Sequence, residues 1–223
     1  MMTEEKFPDS QRPQTSRWVK KLLIPALIGG VVGFAAAMAA LQFIDSPTIG
    51  GLGKSATIAA LVGVFYIVVG LGVGLGTASP KVGARFLNVE DADELREQKK
   101  LLTWSGGSMV LSGLSLIALA LAAPDGPVPQ GAALALGASG MVISVVMSVV
   151  LSRHCDELMR AVNLEASAVG YALVMVVVGL WAMLAHLGYA VPPAPLDLLT
   201  LFHVLVLLAS FIATGRRGML APR

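Results

Sequence analysis

The sequence predicts an all-α, polytopic membrane protein with six transmembrane helices, both termini in the cytoplasm and a weak parallel two-helix repeat. Three observations carry this expectation. Hydrophobic residues make up 56% of the 223 positions and charged residues 13%, with a mean hydropathy of +0.77. That is more apolar surface than a soluble domain of this size covers with polar groups, so the side chains must face lipid. Six apolar runs are each long enough, at about 1.5 Å per residue, to cross a hydrocarbon core of roughly 30 Å. Basic residues gather in alternate connections, the arrangement of the positive-inside rule.

The order of elements follows from these runs. Residues 1–20 are rich in Pro, Ser, Thr, Gln and charge and read as a disordered cytoplasmic tail. They are polar and precede a run long enough to span, so no cleavable signal peptide is expected. Residues 21–215 form the six-helix bundle and 216–223 a short cytoplasmic tail. The first span, Leu22 to Ile44, repeats Gly29, Gly33 and Ala37 at four-residue spacing. Small residues so placed let another helix backbone come close; a substrate path lined by backbone is the alternative. The second span, Ala56 to Ala78, carries Gly70, Gly72, Gly74 and Gly76, which pair as Gly70 with Gly74 and Gly72 with Gly76 on different faces. The string GLGVGLG has the look of a dinucleotide fingerprint, but that motif needs a strand, a turn and a helix in water, not an apolar span.

In the long polar connection, Asp91 or Asp93 is placed to cap a helix running through Glu94, Glu97 and Lys100 into the third span, Trp104 to Ala123. Trp104 stands where an interfacial indole is favoured. Ser105, Ser108, Ser112 and Ser115 line one face of that span, and Gly140, Ser144, Ser148 and Ser152 recur at four-residue spacing on the fourth, Gly131 to Leu151. Hydrogen bonding between helices is the simpler account of both stripes; a hydrated pathway is the other. The fifth span covers Ala166 to Leu187 and the sixth Leu196 to Thr214. Both termini and the second and fourth connections carry the basic residues, whereas the first, third and fifth connections hold only Lys54. Both termini therefore face the cytoplasm of a bacterial cytoplasmic (inner) membrane. Residues 93–107 and 156–170 both begin Asp-Glu-Leu and run into the next span, the basis of the weak repeat.

The densest ionisable stretch between two apolar runs is Ser152 to Ser167, SRHCDELMRAVNLEAS, and it includes the only cysteine, Cys155. A single cysteine excludes an internal disulfide and a paired CxxC. The candidate functional polar residues are His154, Asp156, Glu157, Arg160 and Glu165 here, with Asp197 and His203 in the sixth span. Asp156 and Glu157 suit a helix N-terminus, and Asp156 is four residues from Arg160, within pairing reach. Glu165 lies where the run is already apolar. A carboxylate there needs a partner or water: Arg160 or a lipid amine at headgroup depth, a proton or cation site at the mouth of the bundle, or a partner subunit. Asp197, Thr200 and His203 read as one polar face turned inward. Bis-histidine haem ligation by His186 and His203 is disfavoured because the hairpin sets them at depths differing by roughly 10 Å.

No catalytic set, metal site or cofactor is expected, and no nucleic-acid partner. The expected partners are the lipid bilayer and a protein in the membrane, either a different subunit or a second copy. Small faces at Gly29, Gly33, Gly70, Gly74, Gly140, Ser144 and Ser148 make a non-enzymatic accessory or scaffold subunit the leading function. A small transporter or channel with a carboxylate at the cytoplasmic mouth is second. An intramembrane lipid-modifying enzyme is third, since three scattered histidines assemble neither a nucleophile with its base nor a metal set.

Overall fold

The computed structural model describes residues 24–220 except 48, 80–82, 84–91, 123–125 and 154. Among the described residues the chain is helical without strands: α1 Ile24–Ile44, α2 Lys54–Ala78, α3 Ala92–Glu97, α4 Lys99–Ala120, α5 Gln130–Ser152, α6 Glu157–His186 and α7 Pro195–Arg216. All except α3 are long and apolar enough to cross a membrane. They alternate in direction, so α1 begins and α7 ends at one end of the bundle, here the basal end; the other is apical. The expected tail 1–20 and the Asp91 cap lie outside the described residues, as do residues 221–223 of the expected tail 216–223.

Helix ends follow local chemistry. Asp156 is the N-cap of α6, extended at φ −66° and ψ 175°, and its Oδ1 accepts from the Met159 N–H at 2.7 Å. The helix therefore starts nearer Asp156 than the apolar run alone suggests. Its 30 residues extend about 45 Å, longer than a core of roughly 30 Å requires. At the apical end Pro195 opens α7, and the Asp197 carboxylate accepts from the Ala194 N–H at 2.8 Å.

One expectation needs correction. The helix expected to run unbroken from the polar connection into the third span is two helices, α3 and α4, separated at Gln98 (φ −84°, ψ 0°). Leu95 supplies the reason. It is fully buried, and a Cβ on Gly83 would lie 2.7 Å from it and 2.2 Å from the Gly76 carbonyl. Leu95 thus anchors α3 separately, ahead of the turn at Gln98 that begins α4. The two Asp-Glu-Leu segments consequently differ: Asp93 sits inside α3, pairing with Arg96 at 2.6 Å, whereas Asp156 stands outside α6 as its cap.

Five spans form an open arc in the order α5, α4, α2, α7, α6, with α1 attached to the outside of α2. The tightest junction is α2 on α4. A Cβ on Gly63 would lie 2.7 Å from the Gly113 carbonyl oxygen, and one on Gly70 would lie 2.6 Å from that of Gly106. Glycine at these positions lets the backbones touch. Each helix spaces its two contact glycines by seven residues, the repeat that keeps one seam facing a partner. Beside this seam Ile44, Ala59, Ala60 and Ala120 form the buried apical core, with Leu52, Ala56 and Leu196 against it. The arc does not close: α5 packs along α4 but makes no extended contact with α6 or α7.

Candidate functional site

The mouth of the arc is a groove between α5 on one side and α6 and α7 on the other. Three open-sided chambers follow one another along it. The basal chamber, about 660 Å³, includes Ser148, Ser152, Arg160, Asn163, Ser167 and Ser210 in its lining. It shares Ser148 and Val206 with a middle chamber of about 500 Å³, where Tyr66, Ser108, Ser112, Ser144, Phe202 and His203 meet. An apical chamber of about 330 Å³ shares Ser112, Met141, Leu199 and His203 with the middle one and is otherwise apolar, with Leu119, Leu134 and Val142 in its wall. Polar lining thus extends from the basal end to the level of His203 and stops.

The serine stripes of α4 and α5 meet here. Gly140 packs on Ser115, whose hydroxyl donates to the Leu111 carbonyl at 2.9 Å and reaches the Leu136 carbonyl at 3.2 Å. One turn further toward the base, Ser112 and Ser144 share a hydrogen bond at 3.2 Å. At the next turn Ser108 and Ser148 only face the groove.

His203 is fixed from two sides. Its Nδ1 stands 2.8 Å from the Leu199 carbonyl oxygen, an acceptor, so Nδ1 carries the proton and donates. The Tyr66 hydroxyl donates to the His203 carbonyl at 2.7 Å, and the two rings meet edge-on, with centroids 5.6 Å apart. Nε2 makes no hydrogen bond among the described residues, and no buried side-chain polar atom there lacks a partner. Nε2 therefore opens onto the groove as a hydrogen-bond acceptor.

Arg160 lines the basal chamber; the charged candidates Glu165, Asp156 and Asp197 are committed elsewhere. Glu165, 26% exposed, accepts from Arg217 Nε at 2.8 Å and lies 3.9 Å from Arg216. Its partner is the end of α7, not Arg160. From this pair to the apical ends His186 and Pro195, both helices run about 32 Å, the thickness of a hydrocarbon core. A hydrocarbon core of that thickness set at the apical ends would have its basal boundary at this pair. Asp156 caps α6 and makes no ion pair with Arg160; Glu157 is exposed in the first turn, where the helix dipole favours it. Asp197 accepts from Ser55 across to α2 as well as capping α7. Thr200 is buried and bonded to the Leu196 carbonyl at 2.7 Å. Only His203 of that expected polar face lines the groove. His154 lies outside the described residues.

Of the small-residue positions, Gly70 and Gly140 sit at helix contacts, Ser144 bonds to Ser112, and Ser148 lines the groove. A Cβ on Gly29, Gly33 or Gly74 would meet nothing within 4 Å. The sequence reading missed Tyr66, the Arg216–Arg217 pair and the seam glycines Gly63, Gly106 and Gly113. The seven-residue glycine spacing on two consecutive spans was the available signal for the seam. Among the described residues no three of His, Cys, Asp and Glu lie close enough to share a metal ion. Comparison with protein-family models, with curated proteins and with solved structures finds no match, so the geometry of the bundle carries the functional argument.

Proposed function

We propose that this protein is a non-enzymatic subunit of a membrane complex that holds a helix of another membrane protein against α1. The carrying observation is the state of α1 itself. Among the described residues its extended packing is along α2 alone, and 6% of its apolar window is buried. Gly29, Gly30 and Gly33 on it have no atom within 4 Å of a notional Cβ. Apolar side chains facing lipid need no partner. A row of glycines, by contrast, gains contact only when a second backbone approaches, as Gly63 and Gly70 gain it from α4. The commitments of Asp156, Asp197 and Glu165 to caps and an ion pair support a structural role for the ionisable residues.

We place the protein in a bacterial inner membrane with the basal end in the cytoplasm. The support is charge placement: Lys99, Lys100, Arg153, Arg160, Arg216 and Arg217 are basal and Lys54 is apical.

Purification in a mild detergent, with mass spectrometry of every retained protein and lipid, tests the proposal. A stoichiometric membrane protein should be recovered with the wild type, and Gly29→Leu with Gly33→Leu should release it. A second copy as the sole partner would convert the reading to a homo-oligomer. Recovery of a lone monomer under several gentle conditions sinks it. A lone protein carrying a bound small solute would move the function to a carrier, with His203, not Glu165, as the residue to change.

A further inference from the structure

We infer that the basal and middle chambers of the groove hold one anionic phospholipid from the surrounding leaflet, its phosphate on Arg160 and one acyl chain laid toward Phe202. This site is separate from the α1 face.

Arg160 is the cation of the basal chamber, and no carboxylate among the described residues lies within ion-pair distance of it, because Asp156, one turn away, caps α6 instead. It stands five residues before Glu165 on α6, about 7 Å further from the bilayer centre than the boundary pair. That is headgroup depth, where a guanidinium meets phosphate as a fork of donors. The walls below it are less polar than their composition suggests. Ser152 donates to the Val149 carbonyl at 2.8 Å, Ser167 to Asn163 at 2.8 Å and Ser210 to Val206 at 3.0 Å. Their protons are used within their own helices, so these serines give width without offering donors to a file of water. At these three positions the wall is wide without free donors, which suits an acyl chain; of the other serines, Ser148 at the neck and Ser108 beyond it face the groove without a hydrogen bond among the described residues. The chambers join at Ser148 and Val206, and Met109, Met141 and Phe202 line the middle one, apolar and adaptable. Because α5 does not pack along α6, the groove is open sideways, and a lipid enters without leaving its leaflet.

The experiment is native mass spectrometry of the full chain in a mild detergent, titrated in parallel with phosphatidylglycerol and phosphatidylcholine. One phosphatidylglycerol should be retained to a plateau, with phosphatidylcholine retained more weakly. Arg160→Ala should weaken retention by about tenfold, the scale of one charge-assisted contact, and Arg160→Lys should recover most of it. Val206→Trp, which fills the neck between the chambers, should abolish the plateau. Arg153→Ala, an exposed position at the end of α5, should leave it intact. Equal retention of the two lipids, a ladder of lipids without a one-lipid plateau, or no effect of Arg160→Ala would overturn the site. So would a protein segment crosslinking to Val206 in place of lipid. If Val206→Trp lowers the melting temperature, the Arg160 series on a protein of unchanged melting decides.

Discussion

The α2–α4 seam and the gap between α5 and α7 are both lined by small residues, yet one is closed to backbone contact and the other is a groove. In the seam, glycines face glycines: Gly63 meets Gly113 and Gly70 meets Gly106, with carbonyl oxygens inside the space a side chain would take. In the gap, Ser144 and Ser148 of α5 look across to Leu199, Phe202, His203 and Val206 of α7. These large side chains stand on the far wall without reaching the near one. A small residue closes an interface only where its neighbour presents another small residue, or a fitting knob, at the same level. Where that match is missing, the same residue opens a cavity. The scaffold is thus closely packed along α2 and α4 and open on one side of α5.

The largest effect should come from breaking the seam. A Cβ on Gly113 would lie 2.4 Å from the Gly63 carbonyl oxygen and 2.7 Å from Ile67. Neither backbone can yield without shifting a whole helix, so Gly113→Ala should cost about 2–3 kcal/mol, the upper range of overpacking. Gly72 is on the same helix as Gly63, yet nothing lies within 4 Å of its notional Cβ. Gly72→Ala should be neutral or gain up to about 1 kcal/mol in helix propensity. Reversible unfolding in mixed micelles, titrated with a denaturing detergent, measures both. Equal effects of the two substitutions would remove the distinction between seam and open face.

A smaller effect is expected at the base of the groove's far wall. Glu165 and Arg217 tie α6 to α7 through a bond of 2.8 Å between groups 26% and 34% exposed. Partial exposure lets water screen the pair, so each single change, Glu165→Gln or Arg217→Ala, should cost about 1 kcal/mol. The double variant should cost less than the sum of the two, because each single change already removes the shared bond. Strict additivity in the same unfolding assay would show that Glu165 and Arg217 do not act as a pair, and would leave the hairpin to apolar packing such as Gly170 against Ala209, at 3.5 Å from a notional Cβ.

These contrasts also explain what the sequence could disclose. The six spans were legible because a bilayer imposes a length and a composition that no packing detail overrides. Helix ends were legible where a cap is a local feature: Asp156 serves its own α6. The partner of Glu165 was not read, although equal distances from the hairpin's apical end already put it level with Arg217. Gly70 with Gly74 was read as a packing pair; the closest seam approaches are at Gly70 and Gly63, and Gly74 borders the seam through its backbone nitrogen, 3.6 Å from a notional Cβ on Gly106. Which side of α2 meets α4 depends on the rotation of both helices, and alternating glycines look alike from either side. The groove was least legible, because it arises from a contact that α5 does not make. Tyr66 gave no signal at all, since its role lies in one bond to the His203 carbonyl on a helix distant in sequence.

The smallest expected effect separates the two regions most sharply. Ser148 lines both the basal and the middle chambers, so Ser148→Leu adds its extra atoms to open space and should change stability by less than about 0.5 kcal/mol. Ser115 lies on α4, where it meets α5; it is buried, and a Cβ on Gly140 would come within 2.0 Å of its hydroxyl. Ser115→Leu must displace α5 and should cost about 2 kcal/mol or more. Measured side by side, a large loss at both positions would mean that α5 closes on α7 in the membrane. A large loss at Ser115 alone means that α5 is anchored on one side and free on the other, which is the condition for a groove that a ligand can fill.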